Sequence, residues 1–326
     1  MRRLTPLWTI TMILTASLLA AGTAHYLLST SQRRRLIIST TTSLYDTGIL
    51  EEIEKTFEER YPIDLYFISV GTGLAIQHAK RGDADLVLVH APSTELTFLR
   101  EGYGVNRKIF AYNFFVIVGP GDDPAGVKGL EVTEALMRIV EAGRLGHARW
   151  VSRGDDSGTH VKEIMLWSLA GFNWTTLRGE SWFMESGTGM GKTLLLSNER
   201  EAYTLSDIGT YLKYSSKGLI ELQILVDEAE ELINVYSAIA VNPNAVPGVN
   251  FEDAVTFIKF LISEECQNLI QEYKRDLYGK SLFHPAVRLL KENTDPTVAR
   301  WIRDYAYFNG TECPQQYRYK HPELYE

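Results

Sequence analysis

The feature that most constrains this chain is a pattern repeated over its first third. An apolar run with strand character ends in a loop of Gly, Ser and Thr, and a helix-spaced segment follows. Residues 36–39 lead into Thr40-Thr41-Thr42-Ser43, after which Ile49, Leu50, Ile53 and Phe57 fall at helical spacing over 46–60. Residues 63–68, rich in β-branched and aromatic side chains, end in Ser69-Val70-Gly71-Thr72-Gly73 and pass into a helix running through Lys80. Residues 85–89 are almost continuously apolar, as a parallel strand buried on both faces should be, and Pro92-Ser93 opens another helix. Strand–helix units in series predict an α/β sheet whose ligand loops sit at the strand C-termini.

With 326 residues the chain exceeds one compact core, which predicts two lobes. A long strand-like run at 110–118 ends in the turn cluster Gly119-Pro120-Gly121-Asp122-Asp123-Pro124, where a boundary or hinge is expected. A second series then begins: a helix at 132–141, a strand at 149–152, and the loop Arg153-Gly154-Asp155-Asp156-Ser157-Gly158-Thr159 opening a helix at 161–170. A strand at 181–185 leads into Ser186-Gly187-Thr188-Gly189-Met190-Gly191-Lys192-Thr193, and Thr204-Leu205-Ser206-Asp207 ends another. The apolar run 233–241 is expected to cross back, with helices over 251–273 packing on the first lobe. The expected division is thus 36–115 plus 240–326 as lobe I and 116–239 as lobe II. The polar, aromatic tail 309–326, with Pro314 and Pro322, reads as a loosely ordered extension.

At the N-terminus, Arg2 and Arg3 precede residues 4–32, which carry no charge unless His25 is protonated. That stretch exceeds the roughly 20 apolar residues needed to span a bilayer, and also suits a secretory signal cleaved near the small residues 21–24. Either reading of residues 1–35 places the rest of the chain outside the cytoplasm. No cysteine lies there, which excludes a lipoprotein anchor. The formal net charge of −8 argues against a nucleic-acid binder, which needs basic stripes. It leaves room for a small anion met by a few aimed donors. Two cysteines, Cys266 and Cys313, exclude a Cys-rich zinc module and leave open one disulfide or two free thiols. The seven histidines show no metal-ligand spacing.

Four loops share one chemistry. Thr42 and Ser43, Gly71 and Thr72, Arg153 with Ser157, Gly158 and Thr159, and finally Ser186 and Gly187 all supply hydroxyls or backbone N–H groups at a helix start. Such a start leaves N–H groups without partners at the positive end of the helix dipole, and the Arg153 fork beside one makes an anion site. The plainer alternative is an ordinary N-cap in which Arg153 pairs with Asp155 or Asp156. Enzyme readings are weaker. A phosphate-binding P-loop at 187–193 requires Gly at 186, where this chain has Ser186. A Ser157–His160 nucleophile lacks a G-x-S-x-G elbow, and triads are usually assembled from separated segments.

Thr40-Thr41-Thr42-Ser43, Ser69-Val70-Gly71-Thr72-Gly73 and the stretch from Ser152 to His160, together with Gly82-Asp83-Ala84-Asp85-Leu86-Val87-Leu88-Val89-His90-Ala91-Pro92, Tyr112-Asn113-Phe114-Phe115-Val116-Ile117-Val118-Gly119-Pro120, Gly189-Met190-Gly191 and Ala202-Tyr203-Thr204-Leu205-Ser206-Asp207, carry a family resemblance. Over residues 36–215, in order, the chain resembles the tungstate-binding substrate proteins of ABC transporters. The resemblance implies a non-enzymatic, two-lobed periplasmic-binding-protein fold of type II, with crossing strands as a hinge and an N-terminal hydrophobic helix. It implies an oxyanion, tungstate or molybdate, in the cleft and no cofactor. The implied partners are an ABC permease with its cytosolic ATPase, and the membrane through the N-terminal segment, for a monomeric receptor on the extracytoplasmic side. Phosphate-binding receptors, which use a similar Ser-Gly-Thr helix start, are the alternative. Phosphate near neutral pH carries a proton that needs an acceptor, whereas tungstate wants donors only. The tail after about residue 300 lies outside the resemblance.

Overall fold

The structure, a computed structural model, describes residues 33–279 and 281–326. The hydrophobic N-terminal segment expected over residues 1–32 lies outside the described residues. In chain order come β1 (Arg34–Thr41), α1 (Thr42–Asp46), α2 (Ile49–Arg60), β2 (Ile63–Val70), α3 (Thr72–Arg81), β3 (Leu86–Val89), α4 (Pro92–Arg100) and β4 (Gly104–Gly119). Next are α5 (Val132–Arg144), β5 (Trp150–Ser152), α6 (Gly158–Leu169), α7 (Trp174–Leu177), β6 (Phe183–Glu185), α8 (Met190–Glu199), β7 (Thr204–Asp207), α9 (Ile208–Ser216) and β8 (Gln223–Val226). The chain ends with β9 (Ile233–Val241), α10 (Phe251–Leu261), α11 (Glu264–Glu272), α12 (Arg275–Tyr278), β10 (His284–Pro285), α13 (Val287–Glu292) and α14 (Pro296–Ala306).

The strand–loop–helix units form as their sequence pattern predicts, with two refinements. β1 runs through the hydroxyl-rich stretch to Thr41, and helix starts at once with Thr42. The helix expected over 46–60 is broken at Gly48, whose φ of 81° is the left-handed conformation a residue with a side chain resists.

The sheet runs β2-β1-β3-β9-β4-β10. β1 is parallel to both β2 and β3, while β9 is antiparallel to β3 and β4. Of the two strands expected to cross, β4 is the one that runs on. Its residues 104–114 pair with β9, and from Phe115 onward it pairs with β7 and then β8. β9 pairs along its length with β3 and the first part of β4. β5 and β6 form a short parallel pair, linked to β7 by a bridge between Trp150 and Tyr203.

Separate apolar cores flank the two stretches of β4. One holds Leu36, Ile38, Phe57, Leu86, Tyr236 and Phe257. Another holds Phe115, Ile117, Trp150, Trp167 and the buried face of α5, Val132, Leu136, Ile139 and Val140. At about 1.5–3 kcal/mol for each fully buried large apolar side chain, these clusters hold the loops between them in place.

The C-terminal tail is a correction to the sequence reading. It is built in, with Cys313 and Leu324 buried. Tyr319 N–H donates to Asn106 Oδ1 at 2.8 Å, Asn106 Nδ2 donates to the Tyr319 carbonyl at 2.7 Å, and Arg107 Nη1 donates to the Glu312 carbonyl at 2.6 Å. The cause lies in β4, where Arg107 is fully buried against Glu95 at 2.7 Å and its fork needs more acceptors than that carboxylate supplies. Cys266 and Cys313 are free thiols, both buried.

Candidate anion site

The N-termini of α3 and α6 meet. A Cβ placed on Gly71 would stand 3.8 Å from the Asp155 carbonyl oxygen and 4.0 Å from Ser157 Cα. Thr72, Arg153 and Thr159 are all buried here, and Thr72 Oγ1, Arg153 Nε and Thr159 Oγ1 have no hydrogen-bond partner within the protein. An unsatisfied buried polar group costs about 1–3 kcal/mol. Two of these donors lie in the Arg153 loop and the third opens α3, the helix whose start abuts that loop.

The plainer reading of the Arg153 loop also holds. Arg153 Nη2 pairs with Asp155 Oδ2, and Asp155 Oδ1 accepts the Ser157 N–H at 3.2 Å. Ser157 Oγ caps α6 by accepting the His160 N–H at 3.3 Å. Ser157 therefore contributes cap geometry, and the N–H groups of Gly158 and Thr159, in the first turn, have no acceptor within the helix. Asp156 is exposed, and its backbone N–H donates to His160 Nδ1 at 3.0 Å. The histidine thus braces the turn and does not activate Ser157.

Behind this loop, Glu163 accepts from Trp150 Nε1 at 2.8 Å, Ser152 Oγ at 2.9 Å and Trp167 Nε1 at 3.2 Å. Burial pushes its carboxyl up to about 7, against the pull of these donors and of the Arg153 backbone N–H. Ser186 and Gly187 do a related job. Ser186 N–H donates to the Ser152 carbonyl at 2.8 Å, and Gly187 N–H to the Arg153 carbonyl at 2.9 Å. Their backbone donors are therefore spent on bracing the Arg153 loop, and Gly187 is exposed. Lys192, the lysine of the P-loop-like run, is exposed on α8.

From the first half of the chain, Thr42 is half-buried at the start of α1 and Ser43 is buried. Ser43 Oγ lies 3.2 Å from His90 Nε2, a residue that the loop pattern did not single out. His90 follows the all-apolar β3 directly. A polar residue at the C-terminal end of a buried strand was the available signal, since α/β sheets bind ligands at that edge. A groove of about 480 Å³ elsewhere is lined by Glu131, Asp227, Glu228, Glu230 and Glu231 with Arg300 as its one cation, a net negative lining that disfavours anions. Among the described residues no cluster of His, Cys, Asp or Glu could hold a metal ion, and no helix is long and apolar enough to cross a membrane.

A PBP superfamily domain matches residues 28–265, more than half of the chain. The chain belongs to the PBP superfamily. A relative in this superfamily, the tungstate-binding protein TupA of Peptoclostridium acidaminophilum, is 40% identical over 250 residues, 76% of this chain and 84% of that protein. Among solved structures, the tungstate-binding protein TupA from Desulfovibrio alaskensis is 40% identical with a TM-score of 0.66, covering 77% of this chain and 98% of that one. That of the tungstate ABC transporter from Geobacter sulfurreducens is 41% identical with a TM-score of 0.66, covering 73% and 98%. The strand order around β1 and the late antiparallel β9 are consistent with the type II arrangement within the PBP superfamily.

Proposed function

We propose that this PBP-superfamily chain is the extracytoplasmic receptor of an ABC importer, taking a tetrahedral oxyanion, tungstate or the similar molybdate, and handing it to a permease driven by a cytosolic ATPase. Two lobes, 36–115 with 240–326 and 116–239, close on the anion about β4, and the N-terminal segment directs export or anchors the receptor. The anion is held by Thr72, Arg153, Thr159 and the N–H groups of Thr42, Ser43, Gly71, Gly158 and Thr159. Ser157, Ser186 and Gly187 hold the Arg153 loop.

The observation that carries this reading is the trio of buried, unpartnered donors Thr72 Oγ1, Arg153 Nε and Thr159 Oγ1. The relatives named for tungstate give the same direction. Tungstate is favoured over phosphate because Asp155, the carboxylate paired with Arg153, already accepts from Arg153 and Ser157 N–H. A fully deprotonated dianion needs donors only, whereas a protonated phosphate would compete for that acceptor. Calorimetric titration of the purified protein with tungstate, molybdate, phosphate and sulfate tests this. Tungstate and molybdate are expected to bind far more tightly than the other two, and a preference for phosphate would overturn the assignment.

A further inference from the structure

We propose that His90 is a positioning residue at the anion site: its ring fixes the Ser43 hydroxyl on one side and is the seat on which the Gly158 turn of α6 closes on the other. The inference rests on the anion-receptor reading and assigns a part to a residue outside the proposed donor set.

The hydrogen bonds fix the tautomer of the ring. Asn234 Nδ2 donates to Asn113 Oδ1 at 2.9 Å and to Tyr236 Oη at 2.8 Å, so Asn234 Oδ1 is the atom 2.8 Å from His90 Nδ1. An amide oxygen only accepts, so Nδ1 carries the proton and Nε2 offers a lone pair. Burial, aided by the charges of Arg153 and Lys162, holds His90 down at about 4, against the Asn234 bond, and keeps it neutral near pH 7. Ser43 Oγ–H then donates to Nε2, which leaves Thr41 Oγ1, 3.3 Å away, to donate to Ser43. The Ser43 hydroxyl is a strut, and only its backbone N–H is left for an anion.

The chain of bonds leads to the crossing strand. Asn113 and Asn234 are register partners on β4 and β9, and β4 changes partner just beyond, at Phe115. The ring is also clamped, stacked on Tyr236 at 5.0 Å and tilted against Phe115 at 6.2 Å. Against this fixed ring lies Gly158, where a Cβ would come 2.6 Å from Cε1, 2.9 Å from Nε2 and 3.0 Å from Nδ1. The backbone of Gly158 is not in the left-handed region, so glycine is required here by close approach. His90 therefore touches loops from both halves of the chain, joining the strand crossing to the place where the donors meet.

The test is a double-mutant cycle on the purified full chain, read as tungstate affinity, with thermal unfolding of each ligand-free variant as the folding control. Overpacking costs about 1–3 kcal/mol, so Gly158→Ala is expected to weaken binding by about 10- to 100-fold while the ligand-free protein stays folded. His90→Ala alone should weaken binding by about tenfold, the scale of one lost hydrogen bond. The pair Gly158→Ala with His90→Ala should bind about as tightly as His90→Ala alone, instead of showing the product of the two losses, because the seat has been cleared. Gly158→Ala with His90→Phe, which keeps a ring, should show no such rescue.

Additive losses in the double variant, or rescue by phenylalanine, overturn the proposal. Should His90→Ala not fold, scattering from Gly158→Ala at saturating tungstate decides. A radius larger than that of liganded wild type supports the seat, and an equal radius contradicts it. Wild type that binds no tungstate would instead sink the tungstate reading. The cycle would then be run with whichever of molybdate, phosphate or sulfate binds, with the same outcomes.

Discussion

Arg153 is buried with one nitrogen on Asp155, which braces the loop, while its Nε is unpaired and free for the proposed anion. Hydrogen bonds to charged groups are worth about 1.5–3 kcal/mol, and Arg153→Ala should weaken tungstate binding by about one to two decades in a calorimetric titration. Thr159→Val keeps the backbone donor and should cost less, about a factor of ten, in the same experiment. Lys192→Ala should leave affinity unchanged, since that side chain is exposed on α8. At this scale the sequence was legible wherever a local rule operates. Hydroxyls, glycines and Arg153 at helix starts stand out because the unsatisfied N–H groups of a first turn are a property of consecutive residues. Which donors are free is not local. Ser157 N–H is taken by Asp155, and Gly187 N–H by the Arg153 carbonyl, through folding that spacing does not record.

Among the elements, α6 follows the Arg153 loop, the proposed anion loop, and is tied down at its middle. Lys162 Nζ donates to the Ile233 carbonyl, the first residue of β9, at 2.8 Å and lies 3.8 Å from the centre of the Tyr305 ring on α14. Burial drives the pKa of this lysine down to about 7, against the opposing pull of Glu231. The folded state thus disfavours the charged form. The stability linked to Lys162 is complete above its ordinary value of 10.5 and is lost as pH falls toward 7. From pH 10 to 8, wild type should lose about 1.4 kcal/mol per pH unit relative to Lys162→Met in urea unfolding. Equal slopes would show that the lysine titrates normally. The C-terminal tail teaches the complementary lesson. Its proline and polar content reads as loose extension, yet Arg107 and Lys108 in the middle of a strand announce buried cations in need of acceptors. Glu95→Ala, which leaves Arg107 buried without its carboxylate, should cost about 3–5 kcal/mol by urea unfolding. A loss below about 1 kcal/mol would mean that the tail carbonyl of Glu312 satisfies Arg107 unaided.

For the whole molecule, the α/β class and the order of strand, loop and helix were readable because each unit is local and repeated. The pairing was less so. Residues 110–118 read as one strand-like run, and nothing within that run marks Phe115 as the residue where the partner of β4 changes from β9 to β7. If the two parts move about that strand, adding tungstate should reduce the radius of gyration in solution scattering, and the reduction should be absent from Arg153→Ala at the same tungstate concentration. Anomalous diffraction at the tungsten edge, from crystals grown with tungstate, locates the oxyanion proposed to sit where α3 and α6 meet. A single strong peak is expected within hydrogen-bonding reach of Thr72 Oγ1, Arg153 and Thr159 Oγ1. A peak elsewhere on the chain, with those three donors still unpartnered, would contradict it.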